Sequence, residues 1–209
     1  MSEIGRRGLL KLIGTAPLAA GLKIGDAEAQ ATHQHAVAGA RTAAATGKAY
    51  APRFFTAPEW KTVRILADIV VPKDEHSGSA TDALVPEFMD NWMVDGLATE
   101  RERESRQTAM RGGLAWLDLE CGERFGKTFA DSTEAERLQV VDDIAWPGKA
   151  RPEHSQGAAF FSKFRDLTAS GFWSSKVGVD DLQYKGNTFV AEWKGCPREV
   201  LEKLGLSGD

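Results

Sequence analysis

The chain is poor in the residues that usually carry chemistry: among 209 residues it has two cysteines, four histidines and no basic excess. Each shortage closes off a class of function. No Cys-x-x-Cys-His occurs, so covalent haem attachment has no site in this chain. No Gly-x-Gly-x-x-Gly follows a strand-like run, which removes the Rossmann fingerprint, and no Gly-x-Ser-x-Gly nucleophile elbow or His-Glu-x-x-His zinc helix is present. His33 and His35 stand in a polar stretch with nothing rigid to supply a third metal ligand, and His76 and His154 read as surface loop histidines. Adjacent carboxylates such as Asp142 and Asp143 diverge by about 100° on a helix and cannot converge on one substrate. The formal net charge of −4 argues against a nucleic-acid role, which wants a basic face. The longest apolar stretch, Leu12 to Leu22, is about half of the roughly 20 residues that span a bilayer.

What is present begins at the N-terminus. Gly5-Arg6-Arg7-Gly8-Leu9-Leu10-Lys11 precedes that weakly apolar run, followed by Lys23 and an Ala27-Glu28-Ala29 small-residue site ahead of Gln30. Paired arginines, the apolar Leu9 and Leu10, Lys11 and a short Gly- and Ala-rich segment have the form of a twin-arginine export signal, with cleavage expected between Ala29 and Gln30. That route carries proteins already folded, through the twin-arginine translocase, to the periplasm. Residues 1–29 are therefore read as the signal and 30–53 as a flexible leader, since Ala, Thr, Gly and His with few large apolar groups do not offset the entropy of ordering. Residues 54–209 are read as one helical domain.

Within that domain, Thr56-Ala57-Pro58-Glu59 has the capping-box form, and Trp60, Val63, Ala67 and Val70 recur at helical spacing up to Pro72. A second helix is expected around Val85 to Val94. A third, capped by Thr99 with Glu102, carries Met110, Leu114, Leu117 and Cys121 on one stripe, and its Gly112-Gly113 pair points to close packing or a kink. Ser132 is expected to cap a fourth helix through Ile144, and Phe160, Phe161, Phe164, Leu167 and Phe172 mark a fifth. Pro197 opens a short last one. No convincing alternation for a strand appears, so the fold class is all-α, an irregular bundle of about five to six helices. Between Ser174 and Pro197 the chain has no clear period but holds Tyr184 and Trp193 among turn formers.

Six tryptophans and ten phenylalanines are many for so small a domain. Trp60, Trp92, Phe160 and Phe164, at helical spacing, are expected in the core. Phe172, Trp173, Tyr184, Asn187 and Trp193 are the candidate partner interface, because aromatic side chains are favoured anchors there. Cys121 and Cys196 admit an internal disulfide, one bridge to a partner, or two free thiols; an internal bridge closes a long loop and would contribute roughly 4 kcal/mol.

The order of these pieces resembles the gluconate 2-dehydrogenase subunit 3 family. The resemblance is carried by Phe55 to Glu59 leading to Leu66-Ala67-Asp68-Ile69-Val70-Val71-Pro72, by Arg111-Gly112-Gly113-Leu114-Ala115-Trp116-Leu117-Asp118 leading to Arg124-Phe125-Gly126-Lys127-Thr128-Phe129, and by Gly171-Phe172-Trp173, Asp181 to Asn187 and Trp193 to Pro197. It implies a small subunit without redox chemistry of its own, paired with a large subunit of the glucose-methanol-choline type that holds FAD. A multihaem cytochrome c, carrying haem c, is the implied third member. The rival expectations from the residues alone are a self-sufficient periplasmic helical metalloprotein using His76 and His154, and a binding module for a small ligand.

Overall fold

A computed structural model describes residues 24–95, 98–183, 192 and 195–206 of the chain. Among them are eight α-helices and one 3-10 turn, with no strand: α1 (Asp26–Ala45), α2 (Ala57–Val70), α3 (Val85–Met93), α4 (Glu100–Phe125), α5 (Glu134–Ile144), the turn Pro152–His154, α6 (Ser155–Trp173), α7 (Lys176–Asp181) and α8 (Arg198–Lys203). The all-α irregular bundle expected from periodicity is what forms. Helix α6 runs through its middle and touches α1 to α5 and α7.

Local signals start several of these helices where the sequence places them. Thr56 and Thr99 begin α2 and α4 with reciprocal capping boxes to Glu59 and Glu102, satisfying backbone donors that the first turn leaves open. At α5 the cap is Thr133, which bonds Glu136, rather than the expected Ser132. Ser132 instead donates its hydroxyl to the Thr128 carbonyl at 2.8 Å, bracing the turn before the helix. Leu84 precedes α3 with φ of 59°, a left-handed value that is uncommon for a non-glycine residue.

Two segments read as irregular are helical. A 20-residue helix from Asp26 to Ala45 takes in the last residues read as the signal and most of the leader, and its Ala29, Thr32, His33 and Ala36 are buried. Their spacing of i, i+3, i+4 and i+7 is the helical stripe. It escapes a hydropathy reading because its members are small or polar. Tertiary packing against α3 and α6 supplies what propensity does not. The stretch after Trp173 likewise begins with α7, whose N-cap Ser175 accepts the Gly178 N–H at 3.0 Å.

The core forms where aromatic rings meet glycines. A Cβ at Gly113 of α4 would lie 1.9 Å from the Phe160 ring of α6, and one at Gly157 of α6 would lie 2.5 Å from the Trp116 ring of α4. The two helices thus exchange ring for glycine in both directions, so Gly113 serves close packing and α4 runs unbroken through it. Trp92, Phe160 and Phe164 are buried as expected, and Trp60 packs on the core's edge.

The chain between α1 and α2 is held by Asp90, fully buried in α3. Its carboxylate accepts the N–H groups of Arg53 (2.9 Å), Phe54 (2.9 Å) and Phe55 (3.3 Å) and the hydroxyl of Tyr50 (2.9 Å). Burial, reinforced by Asp90, pushes the Tyr50 phenol well above its ordinary value.

Candidate docking site

Phe172 and Trp173 close α6, and one step of about 100° between them decides their fates. Phe172 is 1% exposed and belongs to the core, which corrects its assignment to the partner interface; Trp173, 42% exposed, faces outward. The two rings meet edge to face at 5.0 Å. Gly178 fixes what lies beyond them, since a Cβ there would come within 2.2 Å of the Phe172 carbonyl oxygen. Helix α7 can therefore seat directly on the end of α6.

The result is a groove of about 440 Å³, lined by Ala29 and Gln30 of α1, Ala169, Ser170 and Trp173 of α6, Ser174 and Val179 of α7. Leu182, just beyond α7, is 58% exposed. Among the described residues no charged side chain lines the groove, and an indole stands at its edge. An exposed aromatic residue beside such a groove is the kind of side chain that anchors protein partners. Tyr184, Asn187 and Trp193 lie outside the described residues, as do Arg6, Arg7, Leu9, Leu10 and Lys11 of the export motif.

A family model described as gluconate 2-dehydrogenase subunit 3 matches residues 57–191, a span that includes α2 to α7. The chain belongs to that family. No curated protein and no solved structure matches it. Membership makes the subunit a component of a dehydrogenase complex and implies a partner chain.

Elsewhere the subunit's polar residues hold the bundle together. His154 is 2% exposed rather than a surface residue. Its Nε2 lies 3.3 Å from Arg124, 3.2 Å from Arg151 and 3.3 Å from Glu120, while Arg124 also meets Asp143 at 2.7 Å. Nε2 thus faces two guanidinium donors and one carboxylate acceptor, while Nδ1 is buried without a hydrogen-bond partner among the described residues. This cluster ties α4, α5 and the turn before α6 together, with the His154 ring edge-on to Trp116. The only sequence signal for it is Pro152, which starts the turn that carries His154 inward.

His33 is buried in α1 near the Phe88 ring, and burial lowers its pKa. His35 is exposed. His76 lies in an exposed turn held by Asp74, as a surface histidine should. Among the described residues no group of three or more His, Cys, Asp or Glu side chains is placed to hold a metal ion. No helix among them is long and apolar enough to cross a membrane.

Both cysteines are free, which leaves no internal bridge between Cys121 and Cys196. Cys121 is buried in α4, where desolvation raises its thiol pKa; Cys196 is exposed before α8. A second cleft, about 600 Å³, lies between α1, residues 48–53 and the end of α3. Its Tyr50 and Asn91 are engaged with each other and with α3, through Asp90 and the Glu87 carbonyl, so these polar groups serve the fold.

Proposed function

We propose that the chain is the non-catalytic small subunit that escorts and stabilises an FAD-dependent dehydrogenase of the glucose-methanol-choline type. The large subunit oxidises sugars, sugar acids or glycosides in the periplasm and passes electrons to a multihaem cytochrome c. The small subunit carries the twin-arginine signal for both chains, and the large subunit covers the groove at Trp173.

The observation that carries this reading is the uncharged groove with Trp173 at its edge, on a chain whose family is defined by membership of a dehydrogenase complex. The Arg6-Arg7 motif supports the export half, because a folded flavoprotein with no signal of its own needs a carrier on a route that accepts folded cargo.

The test is to express the large subunit alone, with this chain, and with the chain bearing Arg6→Lys and Arg7→Lys. Flavin-dependent activity is expected in the periplasm only with the unaltered chain. Equal periplasmic activity in all three cases refutes the escort role.

A further inference from the structure

The site expected to be cut on export lies inside the folded bundle. Helix α1 is already formed at Ala29, whose N–H donates to the Gly25 carbonyl at 2.8 Å, and Ala29 is 5% exposed as the first member of the buried stripe that continues through Ala36. A peptidase reads an extended backbone, and this bond is in a packed turn.

The residue before it has a specific task. Glu28 accepts the indole N–H of Trp92 at 2.6 Å and lies 3.6 Å from Arg106 Nη1. Arg106 is 5% exposed, donates to the Trp92 carbonyl at 2.8 Å, and stacks its guanidinium 4.3 Å from the Trp92 ring. Glu28 is therefore a carboxylate facing a buried cation from across the bundle, and Glu102, one turn before Arg106 on α4, adds its charge from the same helix. Removing one partner of such a pair leaves the other charge uncompensated, which is costly. Cutting after Ala29 would strip this carboxylate from Arg106, leave the Trp92 N–H unpaired, and remove the Ala29 wall of the docking groove.

We propose that the Ala29–Gln30 bond is not cut in the folded protein, and that the first turn of α1 stays in the working subunit as a clasp in which Glu28 neutralises Arg106. The sequence upstream of Ile24 then remains attached to the complex. The consequence for export rests on the twin-arginine reading, in which folding precedes contact with the peptidase; the protection of the bond by the fold does not.

The test has two arms. In the first, purified full-length chain and a peptide of residues 16–40 are each incubated with signal peptidase in detergent and followed by intact mass. The peptide is expected to be cut after Ala29 at least about 10-fold faster than the chain, since cutting a folded turn waits on local opening. Glu28→Ala should narrow that gap and Glu28→Gln, which keeps an acceptor for Trp92, should narrow it less, with circular dichroism confirming that both variants fold. Equal cutting of chain and peptide overturns the proposal, and no cutting of either overturns protection by the fold as the reason the bond survives. In the second arm, C-terminally tagged chain co-expressed with the large subunit is recovered from the periplasm and its N-terminus sequenced. A start upstream of Glu28 is expected, and a start at Gln30 overturns the proposal. Absence of the chain from the periplasm counts against the export reading alone, and the first arm still decides the clasp.

Discussion

Replacing Trp173 by Ala separates a docking residue from a packing residue. Trp173 is 42% exposed, and a tryptophan side chain presents up to roughly 250 Å², so about 105 Å² is available for a partner to cover. At about 25 cal/mol per Å² this area contributes ~2.6 kcal/mol, on the order of an 80-fold change in Kd. The rest of the ring packs against the subunit itself, so Trp173→Ala also lowers its stability. Phe172→Ala is the control, because Phe172 is buried and removing its ring costs about 3–5 kcal/mol of stability while changing no exposed surface. Affinity for the large subunit is measured by titration calorimetry at a temperature where circular dichroism shows both variants folded. Trp173→Ala should weaken binding far more than Phe172→Ala, although Phe172→Ala should unfold at lower urea. Unchanged affinity in folded Trp173→Ala refutes the docking assignment.

Gly113→Ala forces a methyl group against the Phe160 ring and should cost about 2 kcal/mol, lowering Tm by roughly 4–8 °C in a scanning measurement; a neutral result would mean that α4 and α6 do not pack as closely as described. Burial holds the folded pKa of His33 below the ordinary histidine value of about 6.5, so the unfolded chain binds the proton first: its contribution to stability is complete above about pH 6.5 and declines as pH falls toward the folded pKa. Urea unfolding should show a loss of stability below pH 6.5 that His33→Gln diminishes, and identical pH profiles would refute the burial of His33. A thiol reagent should modify one cysteine quickly, Cys196, and the second only on unfolding, because the Cys121 thiol is buried and its pKa is raised; two fast thiols, or none before reduction, would contradict this.

Sequence alone determined the helical class, most of the helix starts and the family. Capping boxes and large apolar residues at a 3.6-residue period act within one turn of chain, so Thr56, Thr99 and the Phe160 to Phe172 stripe announce their helices unaided. The tertiary structure decided what depends on contact between distant segments. Helix α1 has a stripe of Ala, Thr and His that becomes a core face only against α3 and α6, and α7 exists because Gly178 can lie on the Phe172 carbonyl. The inward turn of His154 needs Arg124, Arg151 and Glu120 around it. The division between buried Phe172 and exposed Trp173 is one helical step, invisible in composition and settled by which side of α6 has neighbours. Most consequential is Glu28, whose place in the sequence is beside an expected peptidase site and whose place in space is opposite Arg106, 78 residues along the chain. A short-range motif is legible because its physics is local; a counter-charge is not, because its partner is found only after the chain has folded.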